Sequence, residues 1–246
     1  MTLPKRYDMP DDYKWMPGST RFPLADLGEL AARLGSIVTY DRRGEVIWLD
    51  DISKGVAPYY QTLNGTGSEV YTHNENSLFS GFTMRLVAGS DGGKLANISK
   101  DFSPMVLSKI GIEVGVSFPT DFDRFSVIIT RYDGSHYHTA LIQLDEVNDD
   151  IEIWKDDGTW EVIQSSISFT TSTTIYKRIK LVADMENLVY TRLLFDDLIF
   201  DLSSYGIRAS VSAANPFHRI NLSLVGRAAN NDYCDVGYVI ITDNEP

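Results

Sequence analysis

From Ile175 to Ser204 apolar and polar positions alternate with a period of two, and the alternation is broken twice. Ile179, Leu181, Ala183 and Met185 share one side, with Lys180, Val182 and Asp184 between them, the pattern of a strand with one buried face. Glu186-Asn187 predicts a two-residue turn, because asparagine tolerates the left-handed backbone that short hairpins need. Leu188 to Phe195 reads as the returning strand and Asp196-Asp197 as a second turn. Leu198, Phe200 and Leu202 then form one side of a short third strand. Three adjacent antiparallel strands with an apolar face need a second layer over them. Almost none of the remaining chain has helical periodicity, so the predicted layer is another sheet, with Ile179, Leu181, Leu194 and Phe200 buried between the two.

Other segments repeat the pattern. Ile37 to Tyr40 and Glu45 to Leu49 predict a hairpin around Asp41-Arg42-Arg43-Gly44. From Asp50 to Asn97 the chain is rich in Gly, Ser, Thr and Asn, predicting short strands at Glu69 to Thr72, Leu78 to Phe82 and Met84 to Ala88 between long loops. Longer strands are expected at Lys109 to Phe118, Phe125 to Tyr132 and Tyr137 to Leu144. Ile151 to Lys155 and Trp160 to Ile163 are joined by Asp156-Asp157-Gly158, a hairpin signal. Arg208 to Ser212, Arg219 to Val225 and Tyr238 to Thr242 complete the set. One helix is expected, at residues 26 to 34: Asp26 with Glu29 matches a capping box, Leu27, Leu30, Ala31 and Leu34 share a stripe, and Gly35 supplies the stop. Residues 1 to 22 read as an extended arm, with Pro4, Pro10 and Pro17 blocking regular structure. The predicted fold is thus all-β, a two-sheet antiparallel jelly-roll sandwich over 37–246, preceded by an arm and short helix over 1–36.

Composition narrows the function. Twenty-two basic against 34 acidic residues give a net charge of −12, which argues against nucleic-acid or anionic-membrane partners. The single cysteine, Cys234, excludes an intramolecular disulfide or a cysteine metal cage and reads as a small buried residue. The amino terminus has the form of neither a signal peptide nor a transmembrane segment, so synthesis in the cytoplasm is expected. The Asn-x-Ser/Thr matches at Asn64, Asn97 and Asn221 then read as coincidences.

Residues 109 to 163 give a long strand, a turn, a strand ending in Asp-Gly, another strand, and a hairpin with tryptophan on either side of Asp-Asp-Gly. The run Lys180-Leu-Val-Ala-Asp184, Tyr190, Phe195-Asp196-Asp197 and Phe200-Asp201-Leu202 follows, and Tyr238-Val-Ile-Ile-Thr-Asp243 closes the chain. Over about residues 40 to 244 this resembles the concanavalin A-like lectin/glucanase jelly roll, the sandwich also used by laminin-G-like domains. The resemblance implies a fold shared by lectins, glycosidases, adhesion modules and structural domains, so function has to come from the site. Glucanase-type members carry Glu-x-Asp-x-Glu on one strand, and retaining chemistry needs two carboxylates about 5 Å apart. The nearest match is Asn148-Asp149-Asp150-Ile151-Glu152. An amide at Asn148 cannot act as nucleophile, and Asp149 and Asp150 read as turn residues. The resulting expectation is a protein that is not an enzyme.

His136 and His138 share a strand face but lack a third ligand, and His73 and His218 stand alone, so neither metal nor other cofactor is expected. Tyr132, Tyr137, Trp154 and Trp160 are the candidates for stacking on a sugar, although Trp154 and Trp160 also suit cross-strand pairing within their own hairpin. Tyr7, Tyr13, Trp15 and Phe22 are the candidate docking residues of the arm. Such apolar side chains on a proline-rich segment call for a covering surface, and Gly35 lets the arm reach a neighbouring subunit rather than its own sheet. Two functions are therefore expected from the sequence. One is a non-catalytic structural protein that assembles with like or unlike subunits through its arm, in the manner of a bacteriophage capsid, decoration or tail component. The alternative is a carbohydrate-binding module of lectin type.

Overall fold

The computed structural model describes residue 41 and residues 43–246, except 76, 79–80, 91–92, 104–107, 170–174 and 228–231. The helix expected at 26–34 and the arm with Tyr7, Tyr13, Trp15 and Phe22 lie outside the described residues. The described residues hold sixteen strands and no helix, hence none long and apolar enough to cross a membrane.

Two eight-stranded antiparallel sheets face each other. The first runs in the order β13 (Leu198–Asp201), β12 (Val189–Phe195), β11 (Lys177–Asp184), β6 (Lys109–Ser117), β16 (Tyr233–Asp243), β4 (Thr83–Val87) and β3 (Glu69–His73). β1 (Glu45–Asp50) pairs with the far half of β16. The second runs β10 (Trp160–Gln164), β9 (Asp150–Trp154), β8 (His136–Asp145), β7 (Arg124–Tyr132), β15 (Phe217–Val225), β5 (Leu95–Phe102) and β2 (Tyr60–Asn64). β14 (Arg208–Val211) pairs with β8 beside β9.

The core follows from strict alternation. Ile110, Ile112, Val114 and Val116 of β6, with Ile179, Leu181 and Ala183 of β11, meet Phe125, Val127 and Ile129 of β7 and Ala140, Ile142 and Leu144 of β8. Each large aliphatic side chain removed from water contributes about 1.5–3 kcal/mol. Cys234 is fully buried in this core, and burial pushes its thiol well above the ordinary range. Tyr190 ties the layers together: from β12 its hydroxyl reaches the Trp154 carbonyl at 2.7 Å and accepts from the Leu141 amide at 2.9 Å.

Several expectations change. The first predicted turn holds four residues, 185–188: the Asp184 carboxylate accepts from the Glu186 and Asn187 amides, and Leu188 takes a φ of 57°. Leu194 is buried, but it pairs with Lys180 and shares that residue's outward face, away from the intersheet core. Ile179 and Leu181 are in the core and Phe200 packs against it, as expected. β1 pairs with β16 near the chain end, a contact that local pattern cannot reveal. β2 is hidden in the Ser/Thr/Asn-rich stretch, β5, which begins at its end, is not among the expected strands, and Leu78 and Phe82 lie outside any strand.

At one end of the sandwich the core rows turn polar. His138, Arg131 and His218 are successive cross-strand partners on β8, β7 and β15, and the Arg131 guanidinium donates to the Met185 carbonyl at 2.7 Å. Burial, with the Arg131 charge beside it, holds the His218 imidazole down at about 4, while Asp243 acts weakly the other way. The unfolded chain takes up this proton near pH 6.5 and the folded chain only near pH 4, so stability present above pH 6.5 is lost as the pH falls through that window. The loss is on the order of 2–3 kcal/mol. Thermal melts of His218→Asn should therefore show a smaller drop between pH 7 and pH 4.5 than the parent protein. Equal drops would assign the acid sensitivity to other groups.

Candidate functional site

On the first sheet the face turned away from the core is the unusual one. With Ile110, Ile112, Val114 and Val116 directed inward, β6 presents Gly111, Glu113, Gly115 and Ser117 on the opposite side. Glu113, Ser117, Lys180, Arg192, Asp235, Thr242 and Glu245 are all buried there. Withdrawing charges from water is costly unless each is paired, and the ion pairs on this face are close.

At the β3–β4–β16 edge of this face the pairing builds a groove. The Asp235 side chain is fully buried and accepts from Arg85 Nε at 2.7 Å and Nη2 at 2.8 Å. His73 Nε2 stands 3.1 Å from the same carboxylate, while its Nδ1 accepts from the Glu75 amide at 3.3 Å, which places the ring proton on Nε2. Arg85 lies over the Tyr233 ring, 3.9 Å from its centroid. Its bonds to Asp235 hold the guanidinium well above its ordinary pKa, fixed in place and charged. In front of it is an open cavity of about 440 Å³ lined by Ser68, Glu69, Tyr71, Arg85, Val87 and Tyr233.

Polar side chains continue from the groove across the sheet. The Tyr176 hydroxyl lies 3.3 Å from Thr83 Oγ1, and burial raises its phenol pKa. β16 is bulged between Val236 and Tyr238, and a Cβ at Gly237 would stand 2.8 Å from Tyr176 Cε1, so the close approach of that ring requires glycine. Farther along, the Tyr238 hydroxyl donates to Glu113 Oε1 at 3.1 Å. Beyond it Glu245 joins Lys180 and Arg192.

None of the sequence-predicted sugar-stacking residues lines this cavity. Tyr132, Tyr137, Trp154 and Trp160 all project from the outward face of the second sheet, on the other side of the molecule. Tyr132 and Tyr137 form one pair, centroids 5.6 Å apart, and Trp154 and Trp160 another at 4.7 Å. His136 and His138 do share a face, but His138 Nε2 bonds to Asp133 at 3.0 Å, an interaction that holds the Asp133 carboxyl well below its usual range. No group of three His, Cys, Asp or Glu able to hold a metal occurs among the described residues. Asp149, at a φ of 57°, is in the β8–β9 turn as predicted, but Asp150, also expected there, is the first residue of β9; Asn148 lies in the turn and bonds to Asp145. Sequence reasoning missed Tyr71, His73, Arg85, Tyr233 and Asp235. The available signal was the alternation Glu69-x-Tyr71-x-His73 and Tyr233-x-Asp235, polar and aromatic groups at every second position of two strands.

No family model and no curated protein matches the chain. Solved structures do. An alginate lyase, vAL-1 from Chlorella virus, aligns at a TM-score of 0.53 and 13% identity over 81% of this chain and 100% of the lyase. A sialidase aligns at 0.51 and 10% identity over 82% of this chain, which spans only 19% of that protein. The carbohydrate recognition domain of Emp46p, in a form carrying a point mutation, aligns at 0.49 and 15% identity over 80% of this chain and 93% of that domain. The chain has the concanavalin A-like lectin/glucanase jelly-roll fold.

One expectation falls with this comparison: that the protein is not an enzyme. It rested on the failed glucanase motif at Asn148, yet structures sharing the fold include a lyase and a sialidase. That motif also lies on the wrong surface. Asn148 is a turn residue and Glu152 bonds to Gln143 on the outward face of the second sheet, whereas the cavity and its ionised groups belong to the first.

Proposed function

We propose that this protein recognises a polysaccharide, held in the groove of the first sheet by Tyr71, Arg85 and Tyr233. The observation that carries the reading is the 440 Å³ cavity, where two tyrosine rings flank an immobilised guanidinium beside Glu69 and Ser68. A sugar presents apolar ring faces and a fringe of hydroxyl groups, and such a lining offers a partner for each. The fold shared with the alginate lyase and the sialidase supports the choice of ligand class. Titration calorimetry with neutral and acidic oligosaccharides tests it. Tyr71→Ala and Arg85→Ala should each weaken binding at least tenfold, about 1.4 kcal/mol. Affinity unchanged in both variants, or no affinity in the parent protein, would end the proposal.

The juxtaposition of Arg85, the His73–Asp235 pair and the Tyr71 and Tyr233 hydroxyls favours a second reading, cleavage of the bound chain. Arg85 would stabilise developing negative charge, and a tyrosine would move the proton. Reducing-end and unsaturated-product assays on the same oligosaccharides separate a hydrolase or lyase from a lectin.

A further inference from the structure

Asn64 differs from every other asparagine of the chain in being followed by glycine. It ends the edge strand β2, where every residue is exposed, and Gly65, Thr66 and Gly67 stay exposed in the turn towards β3. Asn97 and Asn221, the other two Asn-x-Ser/Thr matches, lie inside β5 and β15 and are followed by the buried Ile98 and Leu222. The side-chain amides of Asn148, Asn187 and Asn244 donate to the carboxylates of Asp145, Asp184 and Glu45. The Asn64 amide bonds to none of the described residues.

The next backbone nitrogen is equally unengaged. The Gly65 amide donates to none of the described residues, and no side chain shields it. Glycine is required at this position: its φ is +131°, and a Cβ would stand 2.6 Å from Lys94 Cγ. The turn therefore sets a free carboxamide beside the least shielded nitrogen that a chain can offer. Asp133-Gly134 and Asp157-Gly158 lack this arrangement. Their carboxylates are ionised, hence poor electrophiles, and they accept from the Ser135 and Thr159 amides.

We propose that Asn64 is a site of spontaneous covalent modification: deamidation through a cyclic imide, with water as the co-reactant, which remodels the rim of the groove. The Gly65 nitrogen gives up its proton and attacks Asn64 Cγ. As that C–N bond forms, the Cγ–Nδ2 bond breaks, and the departing nitrogen carries the proton away as ammonia. Water then adds to one carbonyl of the ring. Opening at Cγ gives aspartate; opening at the main-chain carbonyl gives isoaspartate, whose backbone runs through Cβ and Cγ and is one carbon longer. Ser68 Oγ lies 3.3 Å from the Asn64 carbonyl and 2.7 Å from that of Ala88, and the Ser68 amide donates to the Gly65 carbonyl at 3.3 Å. Gly67, Ser68 and Glu69 border the cavity, so a longer backbone at residue 64 displaces them.

The test is to age the folded full chain in mildly alkaline buffer and follow it by peptide mapping, with isoaspartate read by enzymatic carboxyl methylation. The peptide carrying Asn64 should convert at least tenfold faster than any other asparagine peptide, with isoaspartate exceeding aspartate. Asn64→Gln, whose imide ring would be one atom larger, should lose the fast phase; circular dichroism melts establish that it is folded. Hydrogen exchange at the Ser68 amide should accelerate in the aged parent. It should not accelerate in Asn64→Asp, which carries the new charge on a backbone of ordinary length. Conversion at Asn64 no faster than at the other asparagines overturns the site. Unchanged exchange at Ser68 in fully converted protein overturns its effect on the rim.

Discussion

Replacing Glu245 with alanine is expected to lower stability by about 3–5 kcal/mol, the usual cost of leaving a buried ion without its counter-charge. The Glu245 and Lys180 side chains are both fully buried, with Lys180 Nζ 2.7 Å from Glu245 Oε1. Arg192 Nη2 binds the other carboxylate oxygen, and the Thr242 hydroxyl donates to Oε1 at 2.6 Å. The Glu245 amide donates to the Lys109 carbonyl at 3.2 Å, Lys180 to the Arg43 carbonyl at 3.1 Å, and Arg192 to the Pro246 carbonyl at 2.8 Å. One carboxylate thus fastens β11, β12 and the end of β16 to a single point. Two glycines admit it: a Cβ at Gly44 would stand 2.5 Å, and one at Gly111 2.9 Å, from Glu245 Oε1. Thermal melting provides the measurement, with a fall on the order of 10 °C expected for a chain of this size. Glu245→Gln keeps the volume and loses the charge, so it should fall between the parent and the alanine variant. An alanine variant that melts like the parent would show that the two cations are held by other means.

Asp235→Ala should damage stability and binding together. Its carboxylate is fully buried and is shared by Arg85 and His73, so deletion leaves two donors facing an empty space. The expected cost is about 3 kcal/mol. Arg85, no longer clamped at Nε and Nη2, loses its fixed position over Tyr233, and affinity for oligosaccharide should fall at least as far as in Arg85→Ala. Asp235→Asn retains one acceptor oxygen and should recover part of the stability without the bidentate grip. If Asp235→Ala binds and melts normally, Arg85 is positioned by Tyr233 and its surroundings alone.

What the chain determines locally is the sandwich itself. Alternation in segments such as Lys109–Ser117, Lys177–Asp184 and Val189–Phe195 marks strands and their buried sides, because successive side chains of a strand point to opposite faces. The Asp-rich turns at 156–158 and 196–197 are legible for a similar reason, since their backbone preference is a property of a few adjacent residues. The polar outward residues of β5 and β2 give no such contrast against their loops, and neither strand is legible. Partners distant in sequence are beyond reach altogether. Nothing near Glu45 announces that it pairs with Asp243, nothing near Glu245 announces Lys180, and Leu194 looks like a core residue until pairing with Lys180 assigns its face. The groove depends on the same kind of information: His73, Arg85 and Asp235 are scattered over 162 positions and meet only because β3, β4 and β16 lie side by side. Periodicity is set by the backbone within a few residues and can be read directly. A site that brings buried charges together across strands is set by strand order and register, which only the tertiary structure decides.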